Sequence, residues 1–223
     1  MKRTHLKQQG FTLTELMIVV AIAAIFATLA VPAMGGMIAR QRVQGQAAEI
    51  SNAFTFAHNE AVRLGKPVFV VPGQINSNGK LNGAVDDWDN ANALLVFADN
   101  GTNNQTYDVG EDEDLRVVTL NDKVSLEPPT QESLGAPLAG APDNKMSFAY
   151  YSNGQMRIKQ GGTALQAPGA IARIMMKHDN KQTRSQVMRF CEVIRVDATG
   201  RTSVYTGKRS DLNGQTTNFF YCE

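Results

Sequence analysis

The stretch that decides the fold is Gly10-Phe11-Thr12-Leu13-Thr14-Glu15, followed by the apolar run LMIVVAIAAIFATLAV over residues 16–31. Thr28 is the one polar residue of that run, and no charged residue appears between Glu15 and Arg40. A helix needs about 20 apolar residues to cross the hydrocarbon core of a bilayer. The run therefore predicts a membrane-spanning helix near the N-terminus.

The residues before this stretch are basic, with Lys2, Arg3 and Lys7. Positively charged flanks stay on the cytoplasmic side, so we expect these residues to stay in the cytoplasm and the rest of the chain to cross the membrane. A secretory signal would carry a small-residue cleavage site after the apolar run, and the sequence shows none there.

Residues 10–15 resemble the cleavage motif of the type IV pilin superfamily. The resemblance implies that a prepilin peptidase cuts between Gly10 and Phe11 and methylates the new N-terminus at Phe11. It also implies a domain plan: a leader peptide over residues 1–10, a transmembrane helix over 11–35, an amphipathic helix over 36–65 and a β-rich head over 66–223.

Glu15 needs an explanation, because a carboxylate at the start of a membrane helix costs several kcal/mol without a partner. One interpretation is a capping box, in which Thr12 and Glu15 satisfy free backbone N–H groups at the helix start. The family resemblance implies another, in which Glu15 pairs with the N-terminal amine of a neighbouring subunit during assembly. The two interpretations can both hold.

Beyond the span, Pro32 and the Gly35-Gly36 pair are expected to weaken or kink the helix. Apolar residues then recur at alternating spacings of four and three, which predicts a helix with one apolar stripe. Gly65, followed by Lys66-Pro67, predicts the helix end. The stripe residues are Val43, Ala47, Ile50, Phe54, Ala57, Ala61 and Leu64.

After Gly65 the sequence changes to short segments rich in β-formers and separated by turn residues. Asn153-Gly154 is a strong hairpin signal, and residues 72–89 and 127–143 are expected to be surface loops. The predicted fold is α+β, with a long N-terminal helix packed on an antiparallel β head. The predicted strands cover residues 68–71, 93–97, 115–118, 146–151, 156–158, 171–176, 187–196 and 202–205.

The head resembles the minor pilins and pseudopilins of the GspH/FimT group. The resemblance lies in Trp88 ahead of residues 95–100, in Phe148 before Asn153-Gly154, and in Ile194 before Thr199-Gly200-Arg201. It implies a minor pilin that primes or caps type IV pilus assembly and supports twitching motility, with other major and minor pilins as partners. The alternative is an H-type pseudopilin of a type II secretion system.

DNA binding during natural transformation is a second alternative, because some members of the group carry a Gly-Arg-x-Arg motif. Here Gly200-Arg201 is followed by Thr202-Ser203, so the second arginine is absent. Arg201, Lys208 and Arg209 are the candidate phosphate contacts. They could equally be solvated charges of a hairpin.

The charges of the chain are unevenly distributed. Without residues 1–10 the chain has 19 Lys or Arg against 21 Asp or Glu, a net charge of −2. Residues 81–115 hold nine acidic and no basic residues, whereas residues 145–209 hold twelve basic and three acidic ones. Such polarity suits head-to-tail assembly or an anionic partner.

The remaining candidate sites are few. Cys191 and Cys222 are the only cysteines, and in an exported head they are expected to form one disulfide. The oxygen-rich segment 99–113 is a weak calcium candidate, since Gly101 and Gln105 break the loop pattern. The histidines are isolated, and we expect no metal site, no cofactor and no enzymatic activity.

Overall fold

The computed structural model describes residues 11–85, 87–100, 106–132, 143–160, 164–165, 171–178 and 191–206. The chain forms two compact units, Met1–Ala39 and Arg40–Glu223. The side chains of residues 29–33, 132, 160, 164, 171 and 177 lie outside the described set.

Helix α1 covers Leu13–Leu64 and is 52 residues long. It ends where the sequence predicts, because Gly65 adopts a φ of 67° and its N–H donates to the Ala61 carbonyl at 3.1 Å. A glycine in this left-handed conformation is the usual residue after a helix end. Pro32 and the Gly35-Gly36 pair do not interrupt the helix.

In the first unit the described apolar side chains of α1 are exposed as far as Ile38, among them Leu16, Ile18 and Phe26, whereas Ala39 is buried. A search of the described residues finds no helix that is both long enough and apolar enough for a membrane crossing. The transmembrane helix over residues 11–35 stays a prediction.

The second unit contains the last part of α1 and twelve described strands, all paired antiparallel. One sheet has the order β4-β3-β1-β7-β8-β9, with β2 also paired to β1; the other has the order β12-β11-β10-β5, with β6 also paired to β10. The strands are β1 Val68–Ile75, β2 Leu81–Ala84, β3 Ala93–Ala98, β4 Glu113–Thr119, β5 Val124–Leu126, β6 Thr130–Glu132, β7 Ser147–Tyr150, β8 Met156–Gln160, β9 Ala164–Leu165, β10 Ile171–His178, β11 Cys191–Val196 and β12 Thr202–Thr206.

The core of the second unit forms around the predicted stripe. Val43, Ala47, Ile50, Phe54, Ala57 and Ala61 are all buried, and Leu64 is partly buried against them. One cluster joins this stripe to inward-facing residues of both sheets, such as Val96, Phe148 and Ile194. The predicted α+β fold, a helix packed on an antiparallel β head, is therefore confirmed.

Two predicted loops are partly wrong. Strand β1 continues through Pro72 to Ile75, and β2 returns along it, so residues 72–84 are mainly a hairpin. Pro72 is tolerated because β7 pairs with β1 only up to Val70 and β2 only from Gly73, which leaves a gap at that point. Likewise β6 occupies part of the predicted loop 127–143, of which residues 133–142 lie outside the described set.

The predicted hairpin at Asn153-Gly154 is confirmed. Gly154 has a φ of 77°, and its N–H donates to the Tyr151 carbonyl at 2.9 Å. The Asn153 side chain accepts the Gln155 N–H at 3.0 Å. The turn therefore sets the register in which β7 pairs with β8.

Candidate functional site

The start of α1 is a capping box. The Thr12 N–H and the Thr12 hydroxyl both donate to Glu15 Oε2 at 3.0 Å. In return, the Glu15 N–H donates to Thr12 Oγ1 at 3.2 Å. This reciprocal arrangement satisfies backbone donors that a helix start leaves free. The capping interpretation of Glu15 is therefore confirmed.

The cap occupies one oxygen of the Glu15 carboxylate. Glu15 is exposed, and the described part of the chain offers no donor to its Oε1 atom. Phe11, the predicted new N-terminal residue, is 88% exposed. The geometry is thus compatible with an amine from another molecule, while the pairing itself stays a prediction, as do cleavage and methylation next to Gly10, which lies outside the described residues.

The turn between β11 and β12 is organised by Asp197. Its Oδ1 accepts the Thr199 N–H at 2.8 Å, the Thr199 hydroxyl at 2.7 Å and the Arg201 N–H at 3.0 Å. Burial raises the pKa of this carboxyl, but the hydrogen bonds and the nearby Arg195 charge outweigh burial, so the pKa lies below its ordinary value. The ionised carboxylate therefore stabilises the turn.

At Gly200, the turn between β11 and β12 packs very closely against the core. Gly200 has a φ of 80°, and a Cβ placed on it would clash with Cε1 of the Tyr150 ring. The Tyr150 hydroxyl donates to the Gly200 carbonyl at 2.7 Å. Burial, aided by the Asp197 charge, raises the pKa of Tyr150, so the hydroxyl keeps its proton. Gly200 is therefore required for packing.

The DNA-binding candidates are only partly described. Arg201 lies directly before β12 and is exposed, while Lys208 and Arg209 lie outside the described residues. Asp197 and Tyr150 account for the glycine at position 200, so Gly200 has a structural explanation. The described residues thus add no support for a DNA-binding surface.

The acidic segment 99–113 is also only partly described, since residues 101–105 lie outside the described residues. The Asp112 carboxylate accepts the Asn100 N–H at 3.0 Å and the Asp108 N–H at 2.8 Å. The Asp112 carboxylate therefore stabilises the loop by hydrogen bonds to its backbone. A search of the described residues finds no group of three or more His, Cys, Asp or Glu side chains that could hold a metal ion.

Cys191 is buried at the start of β11, and the described part of the chain contains no free cysteine. Its predicted partner, Cys222, lies outside the described residues, so the pairing stays a prediction. His58 is a packing residue, since its ring stacks on Tyr150 with centroids 5.4 Å apart.

Sequence reasoning missed the roles of Asp197 and Tyr150. The pattern Asp197-x-Thr199-Gly200 carries a local signal, because Asp side chains often accept the backbone N–H two residues on. Tyr150 carries no such signal, since its partner lies 50 positions away in the sequence.

Comparison with known proteins gives two family matches. Residues 5–31 match the model of the prokaryotic N-terminal methylation motif, and residues 46–189 match the model of the type II transport protein GspH. The comparison with curated proteins finds no match.

Two solved structures show a distant likeness. The type IV minor pilin FimU of Pseudomonas aeruginosa is 13% identical over 74% of this chain and 90% of that chain, with a TM-score of 0.41. The minor pseudopilin EpsH of the type II secretion system of Vibrio cholerae is 12% identical over 77% of this chain and 99% of that chain, also with a TM-score of 0.41. The assignment to a family rests on the two family models. The GspH model by itself covers more than half of the chain. The chain therefore belongs to the GspH family within the type IV pilin superfamily.

Proposed function

We propose that the chain is a minor pilin that helps to start or cap a type IV pilus, and that its role is structural and not enzymatic. The observation that carries this proposal is the capped Glu15 at the start of an exposed apolar helix, within a matched N-terminal methylation motif. A carboxylate held in this position is ready to meet a free amine.

The proposal includes the maturation steps. The prepilin peptidase cuts after Gly10 and methylates Phe11, and the helix over residues 11–35 then anchors the subunit once in the inner membrane with the head in the periplasm. The matched motif over residues 5–31 supports these steps. Mass spectrometry of the extracted chain measures them directly: a polypeptide that still carries residues 1–10 in piliated cells would contradict the proposal.

Glu15→Gln separates the two roles of Glu15. Glutamine can form the same capping box but cannot carry the charge that pairs with an amine. If the charge is needed, Glu15→Gln and Glu15→Val both reduce surface pili, while the precursor is still made. Glu49→Gln, an exposed carboxylate later in the same helix, is the matched control. Normal piliation with Glu15→Gln would leave capping as the only role of the residue.

The second candidate is an H-type pseudopilin of a type II secretion system, which is also compatible with the match to the type II transport protein GspH. A deletion strain distinguishes the two functions. Loss of surface pili with normal secretion supports the pilus function, whereas loss of secreted proteins with normal pili supports the pseudopilin function.

A disulfide between Cys191 and Cys222 is also proposed. The burial of Cys191 and the single remaining cysteine in the sequence support it. A thiol count on the denatured, unreduced chain should find none, and two reactive thiols would exclude the bridge.

A further inference from the structure

The sheet that contains β10 and β11 carries a small buried cluster on its outer face. Side chains along a strand point alternately to the two faces of a sheet. Ile194 and Val196 lie in the core with α1, so Cys191 and Val193 point to the opposite face. Only 1% and 3% of these two residues is exposed, and Met175, the register partner of Val193, packs against them. We call Met175, Cys191 and Val193 the outer cluster.

The outer cluster requires a cover. Side chains of a sheet stand roughly perpendicular to it, so residues of two neighbouring strands do not bury one another. In the described part of the chain, the apolar partner of Cys191 and Val193 is Met175 alone. Their burial therefore points to an apolar segment that lies across the outer face and comes from outside the described residues.

The position of residues 207–223 in the chain suits this role. Strand β12 is antiparallel to β11, and its last residue, Thr206, lies opposite Glu192. The chain therefore leaves the sheet beside Cys191. It then reaches Cys222, the proposed disulfide partner of Cys191. A disulfide holds its two Cα atoms about 6 Å apart, so the segment would return to the place where it left the sheet.

The sequence of this segment is apolar where it would return. Residues 207–215 contain one large apolar residue, Leu212, whereas residues 216–221 read TTNFFY. Aromatic and β-branched residues favour an extended chain. We therefore expect an extended stretch directly before Cys222.

An extended stretch determines which of its rings can reach the outer cluster. Residues two positions apart point to the same side and are separated by about 6.6 Å, both in such a stretch and along β11. With Cys222 joined to Cys191, the Phe220 ring would thus lie over Val193. Phe219 would point to the opposite side, away from the sheet.

We infer that residues 207–223 fold back across the outer face of β10 and β11 and that Phe220 packs on the outer cluster. The inference rests on the disulfide proposed above, and it applies equally to a pilus subunit and to a pseudopilin. It gives the disulfide a definite task. The bond holds an apolar cover on a face of the sheet that α1 does not reach.

Photo-crosslinking tests the contact directly in the full-length, detergent-solubilised chain. The photoreactive p-benzoylphenylalanine replaces Phe220 in one variant and Phe219 in the matched control, and it keeps an aromatic ring at each position. We expect the probe at position 220 to form a crosslink within the chain to Met175 or Val193, identified by mass spectrometry. The yield should be severalfold higher than from position 219.

Methionine oxidation provides a second measurement. Met175 belongs to the outer cluster, whereas Met176 points into the core and is 0% exposed. In Phe220→Ala, hydrogen peroxide should oxidise Met175 severalfold faster than in the wild type, while Met176 stays protected and shows that the chain is folded. Phe219→Ala should leave both rates unchanged. If Met176 also loses its protection in Phe220→Ala, the crosslink from the folded probe variant decides.

Three results would overturn the inference: a crosslink from position 220 only to residues 179–190 or to another chain, equal yields from positions 219 and 220, or an unchanged Met175 oxidation rate in a folded Phe220→Ala chain. A thiol count separates the causes. With no reactive thiol, these results reject the position of the tail and leave both the disulfide and the proposed pilin function intact. Two reactive thiols would exclude the disulfide, and the inference with it.

Discussion

The two halves of helix α1 carry similar apolar side chains in different surroundings. In the first half, Phe26 is 67% exposed, whereas Phe54 in the second half is fully buried. The Phe54 ring contacts the Phe148 ring edge-on at 4.9 Å and the Tyr150 ring at 6.5 Å. Apolar area left in water is costly, so the first half requires a second apolar environment.

Replacing Phe54 or Phe26 by alanine is the strongest test of the difference between the two halves of α1. We expect Phe54→Ala to lower the free energy of unfolding of the head by about 3–5 kcal/mol, because it leaves a cavity between the helix and β7. Phe26→Ala should leave this free energy unchanged. The measurement is denaturant unfolding of the detergent-solubilised chain, followed by the fluorescence of Trp88, the single tryptophan, which is buried in the head. Equal losses in the two variants would contradict the comparison.

The second prediction concerns how tightly the turn at Gly200 packs against the Tyr150 ring. Gly200→Ala places a Cβ against the Tyr150 ring, and we expect a loss of about 1–3 kcal/mol through overpacking. Gly79 has a similar φ of 75° but has nothing within 4 Å of the added Cβ. Gly79→Ala therefore reports the backbone cost alone, and the difference between the two variants measures the contact. No difference would mean that the turn moves away freely.

The third prediction concerns the Tyr150 hydroxyl. Tyr150→Phe keeps the ring against Phe54 but leaves the buried Gly200 carbonyl without its donor, at a cost of about 1–2 kcal/mol. The same unfolding experiment measures the loss. Hydrogen exchange of the amides in residues 197–206 should accelerate with it, while exchange in β7 and β8 should not.

The smallest expected effect is the pH dependence at Asp197. Its pKa is lower in the folded chain than its ordinary value, so its stabilising contribution is present above that ordinary value and disappears as the pH falls through the lower folded value. Asp197→Asn keeps an oxygen acceptor but no charge. We expect the wild type to be slightly more stable than this variant at neutral pH, and the difference to shrink as the pH falls below about 4 and to vanish only below the lowered pKa of the folded chain. A difference that grows on acidification would refute the assignment.

Local patterns in the sequence were sufficient to predict the main elements. The spacing of the stripe predicted the buried face of α1, Gly65 predicted its end, and Asn153-Gly154 predicted a hairpin. Each of these features depends on preferences of the chain within a few residues. The capping box could be predicted for the same reason, since Thr12 and Glu15 are three positions apart. The strand limits were less accurate: Pro72 suggested a loop, but a gap between two partner strands accommodates it.

The sequence by itself therefore determined the fold class, the family motif and the candidate residues at the N-terminus, all of which follow from periodicity and short-range chemistry. Only the tertiary structure decided that Gly200 lies against Tyr150 and that the Asp112 carboxylate holds its own loop. These features depend on residues far apart in the chain, whose approach is fixed by the packing of two sheets on one helix and not by any local preference.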